Sequence, residues 1–228
     1  MKRICLFLFL IFTMSVAVFS ATINIVQEGD PRTFDPHFGN DGFSLRINRL
    51  LYSRLLEKNS NMETVLGVAK SYKFIDNKTI NFTLKDNVFF QNGENLTSED
   101  VKFSFERMKK SPRIAGILTT IKEIIIKDKY NFQMILEKPF SSIIDQLTHP
   151  ALSIVSKNYL TKNPDILVEQ PMGSGKYILE SWSPGEGLVL ERFENYFDTK
   201  PTYEKINIKT IPLATNRTIA LETGEADI

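Results

Sequence analysis

Residues 87–110, NVFFQNGENLTSEDVKFSFERMKK, run an apolar stretch, a turn and the start of a helix into one another. Phe89 and Phe90 read as the close of a strand, and Asn92-Gly93 supplies the left-handed backbone that a tight turn needs. Thr97 stands where a hydroxyl could accept from the free amides of a helix opening at Ser98. Glu99 and Asp100 put negative charge at that helix's positive end, and Val101, Phe105 and Met108 recur on one face. The stretch is an instruction for structure, with nothing in it arranged for chemistry.

On both sides of it the apolar pattern has period two. Upstream, SYKFI at 71–75 and INFTL at 80–84 flank Asp76-Asn77, with Ile80, Phe82 and Leu84 pointing one way and Asn81 and Thr83 the other, which predicts a hairpin. Downstream, IKEIIIK at 121–127 and NFQMIL at 131–136 predict a second, with Phe132, Met134 and Leu136 alternating. Pro139 ends it, and residues 141–147 read as a short helix stopped before Pro150.

Further out, TINIV at 22–26 is a β-branched strand, followed by a loop in which Pro31 and Pro36 force extended or turn backbone. Residues 44–56 are expected to form a helix with Leu45, Ile47, Leu51, Tyr52 and Leu55 on its apolar side and Arg46, Arg49 and Arg54 on a solvated one. Asn163-Pro164 and Gln170-Pro171 bracket a return crossing. After it come a third hairpin, 177–182 with 188–193 around SPGEG, a strand at 206–211, and a helix at 214–222 that Gly224 terminates. Glu225-Ala226-Asp227-Ile228 reads as the opening of a strand, hence the expectation of a fragment or a truncated reading frame.

The 228 residues are 42% hydrophobic and 24% charged, an ordinary globular balance. Lys2 and Arg3 before the apolar residues 4–18, with Val18 and Ser20 small enough for cleavage after Ser20, have the form of a secretory signal at 1–20. The single cysteine, Cys5, precedes the apolar run, so it is not the lipid-modified residue of a lipoprotein, and the mature chain has no thiol for disulfides or metal. Taking Lys2 and Arg3 from the 28 basic residues leaves 26 against 27 acidic ones, a balance that makes no electrostatic case for nucleic acid or anionic lipid.

Several residues invite a chemical reading. GSGK at 173–176 lacks the phosphate-loop glycine five before Gly175 and the hydroxyl after the lysine, for Gln170 and Tyr177 stand there; the alternative is a pair of glycines permitting a sharp connection into a strand. A triad or a metal centre would have to use His37, in a loop, and His149, read as a helix-end residue bonding locally. A carboxylate hydrolase would require two of Asp35, Glu99 and Asp100 to converge in one pocket, yet the latter two already have a helix-start explanation.

Three stretches together carry a resemblance. FQNGENLTSEDVKFS at 90–104 resembles the F-x-(D/N)-G-x-x-(L/F)-T-(A/S)-(E/D)-D-V-x-(F/Y)-S signature of bacterial extracellular solute-binding proteins of the family 5 type, the oligopeptide- and dipeptide-binding group. PMGSGKY at 171–177 is similar to its P-x-G-(T/S)-G-x-Y loop, with Lys176 where the family usually has proline, and NRTIALETGEADI at 216–228 is similar to its R-x-x-A-L-x-x-G-E-x-D segment.

The resemblance implies an α/β fold: a periplasmic-binding-protein type II-like lobe whose discontinuous domain I takes residues 21–56 and 166–228, with an α+β domain II inserted at 57–165, and with the second lobe and hinge missing. It implies that the N-terminal strand and the hairpin after the glycine loop share one core. It implies a monomeric, non-enzymatic, cofactor-free binder in the periplasm that captures extended peptides by strand addition and delivers them to ABC transporter permease subunits. Metal chelates or haem are alternative ligands within the family, and a membrane receptor an alternative partner. The substrate contacts it implies here are Asn40, Asp41, Gly42 and Phe43; an ordinary surface loop leading into a helix is the competing reading of those residues.

Overall fold

A computed structural model describes residues 21–228; the export signal expected at 1–20 lies outside the described residues. In chain order the elements are β1 (Thr22–Gln27), α1 (Gly42–Leu51), β2 (Leu56–Lys58), β3 (Thr64–Leu66), β4 (Ala69–Phe74), β5 (Thr79–Leu84), α2 (Ser98–Lys109), β6 (Ile121–Ile126), β7 (Asn131–Leu136), α3 (Ile143–Gln146), α4 (Lys157–Lys162), β8 (Tyr177–Ser183), β9 (Gly187–Arg192), β10 (Lys205–Thr210) and α5 (Ala214–Glu222).

Two four-stranded sheets organise them. In the first, of order β1-β10-β9-β8, the N-terminal strand lies parallel to β10, which runs antiparallel to β9. Ile23 faces Ile206, and Ile206 faces Leu190, so one buried row crosses three strands. The N-terminal strand and the hairpin after the glycine loop therefore share one sheet. Along the other edge of β1, the Val26 amide donates to the Ile228 carbonyl and the Asp227 amide to the Asn24 carbonyl, both at 2.8 Å, so the final residues lie beside β1 although they do not form a strand of the sheet.

The second sheet, β4-β5-β7-β6, is made of the two hairpins with period-two patterns. Ile80, Phe82 and Leu84 are buried on β5, and Phe132, Met134 and Leu136 on β7. Phe82 and Phe132 stack with ring centroids 5.2 Å apart at 8°. Burying each such side chain contributes about 1.5–3 kcal/mol. Helix α2 covers this sheet through Val101, Phe105 and Met108.

The quoted stretch behaves largely as read, with one difference. Gly93 takes the left-handed conformation (φ 84°), but Phe89 makes only an isolated bridge to Asn95 and does not close a strand. Thr97 is the N-cap of the helix and forms a capping box with Asp100, whose carboxylate accepts from the Thr97 amide and hydroxyl at 2.9 Å.

The helix expected over 44–56 is corrected at both ends. It starts at Gly42 with Asp41 as its N-cap, and stops at Leu51 because the glycine loop packs against it. The Gly175 amide donates to the Leu51 carbonyl at 2.9 Å. A Cβ on Gly173 would lie 2.1 Å from that same oxygen, and one on Gly175 2.3 Å from the Leu50 carbonyl. The chain then turns extended, so Leu55 is buried from a non-helical segment and Arg54, expected on a solvated face, is 2% exposed.

Candidate functional site

The four residues singled out as contacts lie where the N-terminal loop becomes α1. Asn40 is exposed and its Oδ1 accepts from Arg113 Nη1 at 3.3 Å. Asp41 is half-buried and accepts from the Ser44 amide at 2.9 Å, a capping role. Gly42 and Phe43 belong to the first turn of the helix and not to a loop. Gly42 is exposed, with no atom within 4 Å of where its Cβ would stand. The half-buried Phe43 ring faces Gly29, where an added Cβ would be 3.1 Å away, and the Arg46 guanidinium lies 5.8 Å from its centroid.

The loop is held from beneath by a buried cluster that has no local sign among adjacent residues. Arg107, in the last turn of α2, donates through Nη1 to Asp35 Oδ1 at 2.8 Å and through Nη2 to Asp35 Oδ2. Its Nη1 also stands 2.9 Å from His37 Nδ1, which must accept, so Nε2 carries the proton and donates to the Ser153 carbonyl at 2.9 Å. The Ser111 hydroxyl donates to the His37 carbonyl, and Phe38 lies over the guanidinium, 4.9 Å from its centroid. Burial, above all, lowers the His37 imidazole to about 4, with Arg107 adding to the effect. His37, read as a loop residue, is thus a fully buried neutral strut.

The three carboxylates weighed for hydrolysis are each committed elsewhere. Asp35 holds Arg107, and Asp100 caps α2 while accepting from the Lys157 amide at 2.9 Å. Glu99, exposed, pairs with the Lys157 ammonium at 3.0 Å. Asp35 sits near the far end of α2 from the other two. Burial raises the Asp100 pKa against the pull of its amide donors. His149 accepts from the Ala151 amide through Nδ1 at 3.1 Å, the local bond expected of it. Among the described residues no group of three or more His, Cys, Asp or Glu is placed to hold a metal.

Two concave regions border this framework. A groove of about 590 Å³ runs along the outer edge of β8, between residues 169–171 and Leu179, Glu180, Ser181 and Trp182. Trp182 meets Phe34 of the N-terminal loop edge-on, with centroids 5.0 Å apart. A second cavity, of about 310 Å³, lies between the end of α1, β2, β3 and the glycine loop.

Comparison with known proteins follows the same lines. The family described as bacterial extracellular solute-binding proteins, family 5 Middle, matches residues 63–228, which include all three motif stretches. The chain is 30% identical over 216 residues to the probable D,D-dipeptide-binding periplasmic protein DdpA of Escherichia coli (strain K12), covering 90% of this chain and 42% of that protein. It is 29% identical over 221 residues to the glutathione-binding protein GsiB of Shigella flexneri, covering 93% and 43% respectively. The structure of the periplasmic binding protein DppA from Helicobacter pylori in complex with the peptide STSA superposes with a TM-score of 0.82 at 27% identity, over 90% of this chain and 45% of that one. The chain thus spans less than half the length of these relatives, and its mixed α/β fold is that of part of a periplasmic binding protein. On the family match and the motif stretches it contains, this chain belongs to the bacterial extracellular solute-binding proteins of family 5.

Proposed function

We propose that this chain contributes one wall of the ligand cleft in the substrate-binding protein of an ABC-type peptide importer, which captures extended peptides outside the cytoplasmic membrane and hands them to the permease. The observation that carries the reading is the likeness to the probable D,D-dipeptide-binding protein DdpA across 90% of the chain. Likeness to a glutathione-binding protein and to a protein in complex with the peptide STSA supports the same ligand class.

Asn40, Asp41, Gly42 and Phe43 are the proposed contacts. The open space at Gly42 lets a ligand backbone come close, and Phe43 walls the approach. Rigid anchorage of the preceding loop supports this, since contacts held in place beforehand cost less to order on binding. The domain division 21–56, 57–165 and 166–228 is supported by the parallel pairing of β1 with β10, while β4 to β7 build a separate sheet. The whole binding protein is a monomer, exported through residues 1–20 to the periplasm without lipid attachment, and it makes and breaks no covalent bond. The structural commitments of Asp35, Glu99 and Asp100 support that last point.

The test is titration of the 15N-labelled chain with a pool of short peptides. Amide shifts concentrated at residues 40–43, with a dissociation constant weaker than about 1 μM for a single wall, are expected. Perturbation confined to other faces, or none at millimolar peptide, would remove the assignment.

A further inference from the structure

The cavity beside the glycine loop has a charge pattern that peptide capture does not use. Arg49, Arg54, Lys58 and Lys176 line it against two carboxylates, Glu57 and Asp198. Lys58 is engaged by Asp145 and Thr64, and Asp198 accepts from the Thr199 amide. Arg49 and Lys176 have no carboxylate partner among the described residues. Arg54 is 2% exposed, gives Nη2 to Glu57, and leaves its Nε without any hydrogen-bond partner among the described residues. That nitrogen is closed off from the cavity, so what Arg54 brings to the site is its charge, set beside those of Arg49 and Lys176. The charges of Arg49 and Arg54 also reach His149, where they add to burial in lowering its pKa.

From this geometry we infer that the cavity is a binding site for a small, doubly charged oxyanion, a phosphate or a short dicarboxylate, held by Arg49 and Lys176 at the mouth over the charge of the buried Arg54. The glycine loop therefore has a use for its lysine although it is no phosphate loop. Gly173 and Gly175 are pressed against the backbone of α1, and that contact delivers Lys176 to the cavity rim. At about 310 Å³ the space suits such an ion with its hydration better than an extended peptide. Guanidinium groups pair with planar or tetrahedral oxyanions through charge-assisted, often forked, hydrogen bonds.

The experiment is calorimetric titration of the 228-residue chain with inorganic phosphate and, separately, succinate, each against chloride at matched ionic strength. One saturable site is expected, weakened about tenfold or more in the R49Q/K176Q variant. Both positions are exposed, so the variant should melt like the parent without ligand. Saturation by phosphate alone assigns the site to phosphoryl groups and by succinate alone to carboxylates; either supports the proposal. No saturable binding of either anion, or equal affinity in the parent and R49Q/K176Q, overturns it.

Discussion

At the scale of single residues, the Asp35, His37 and Arg107 cluster concentrates the energetic risk. Asp35 is 2% exposed and the Arg107 side chain 15%, so removing one partner strands a charge in the interior. Arg107→Met should cost about 3–5 kcal/mol in urea unfolding. The double variant D35N/R107M should cost less than the sum of its parts, because neither charge is then left alone. His37 makes stability depend on pH with a definite sign. Its folded pKa of about 4 lies below the ordinary 6.5, so the unfolded chain takes up a proton first as pH falls. The stabilisation is complete above the unfolded value and is lost between the two, by up to about 3 kcal/mol. Unfolding free energies measured from pH 7.5 to 4 should fall more steeply for the parent than for His37→Gln, and parallel profiles would refute this account.

At the scale of elements, two glycines of similar look have opposite consequences. Gly42 opens α1 with free space where a Cβ would go and no positive φ, so Gly42→Ala should raise stability by about 0.4–1 kcal/mol through the unfolded chain. Gly175 is wedged into the backbone at Leu50 and Leu51, so Gly175→Ala should destabilise by about 3 kcal/mol or more and disturb the end of α1. Thermal melts of both variants check the pair of outcomes together. The hairpins were legible because alternation over a few residues determines which side chains share a face. The end of α1 was not, since its stop comes from a loop more than a hundred positions downstream. Leu55 keeps helical spacing with Leu51, and nothing local distinguishes the two continuations.

At the scale of the molecule, the first sheet joins the chain's beginning to its last third, while the second is built from near neighbours in sequence. Of α5 only Ala220 is buried, whereas Ile219, Leu221 and the nearby Leu213 and Ile228 are exposed. Few buried contacts mean low local stability, so hydrogen exchange should show the amides of α5 opening well before those of β10. The apolar surface also favours self-association. In the 228-residue chain, I219K/L221K should lower the light-scattering mass at high concentration, and no change would show that association arises elsewhere.

What the sequence determined alone is the local grammar: the period-two hairpins, the left-handed turn at Gly93, the helix from Ala214 to Glu222 and its stop at Gly224. Family membership was readable as well, because its motifs are runs of adjacent residues. Only the tertiary structure decided that Asp41 to Phe43 begin a helix, that Arg54 is interior, that His37 is a neutral strut under Arg107, and that four cations ring one cavity. The difference is physical. Backbone sterics and apolar period act between neighbours and are written in adjacent letters, whereas a buried charge or a glycine contact takes its energy from a partner brought from far along the chain.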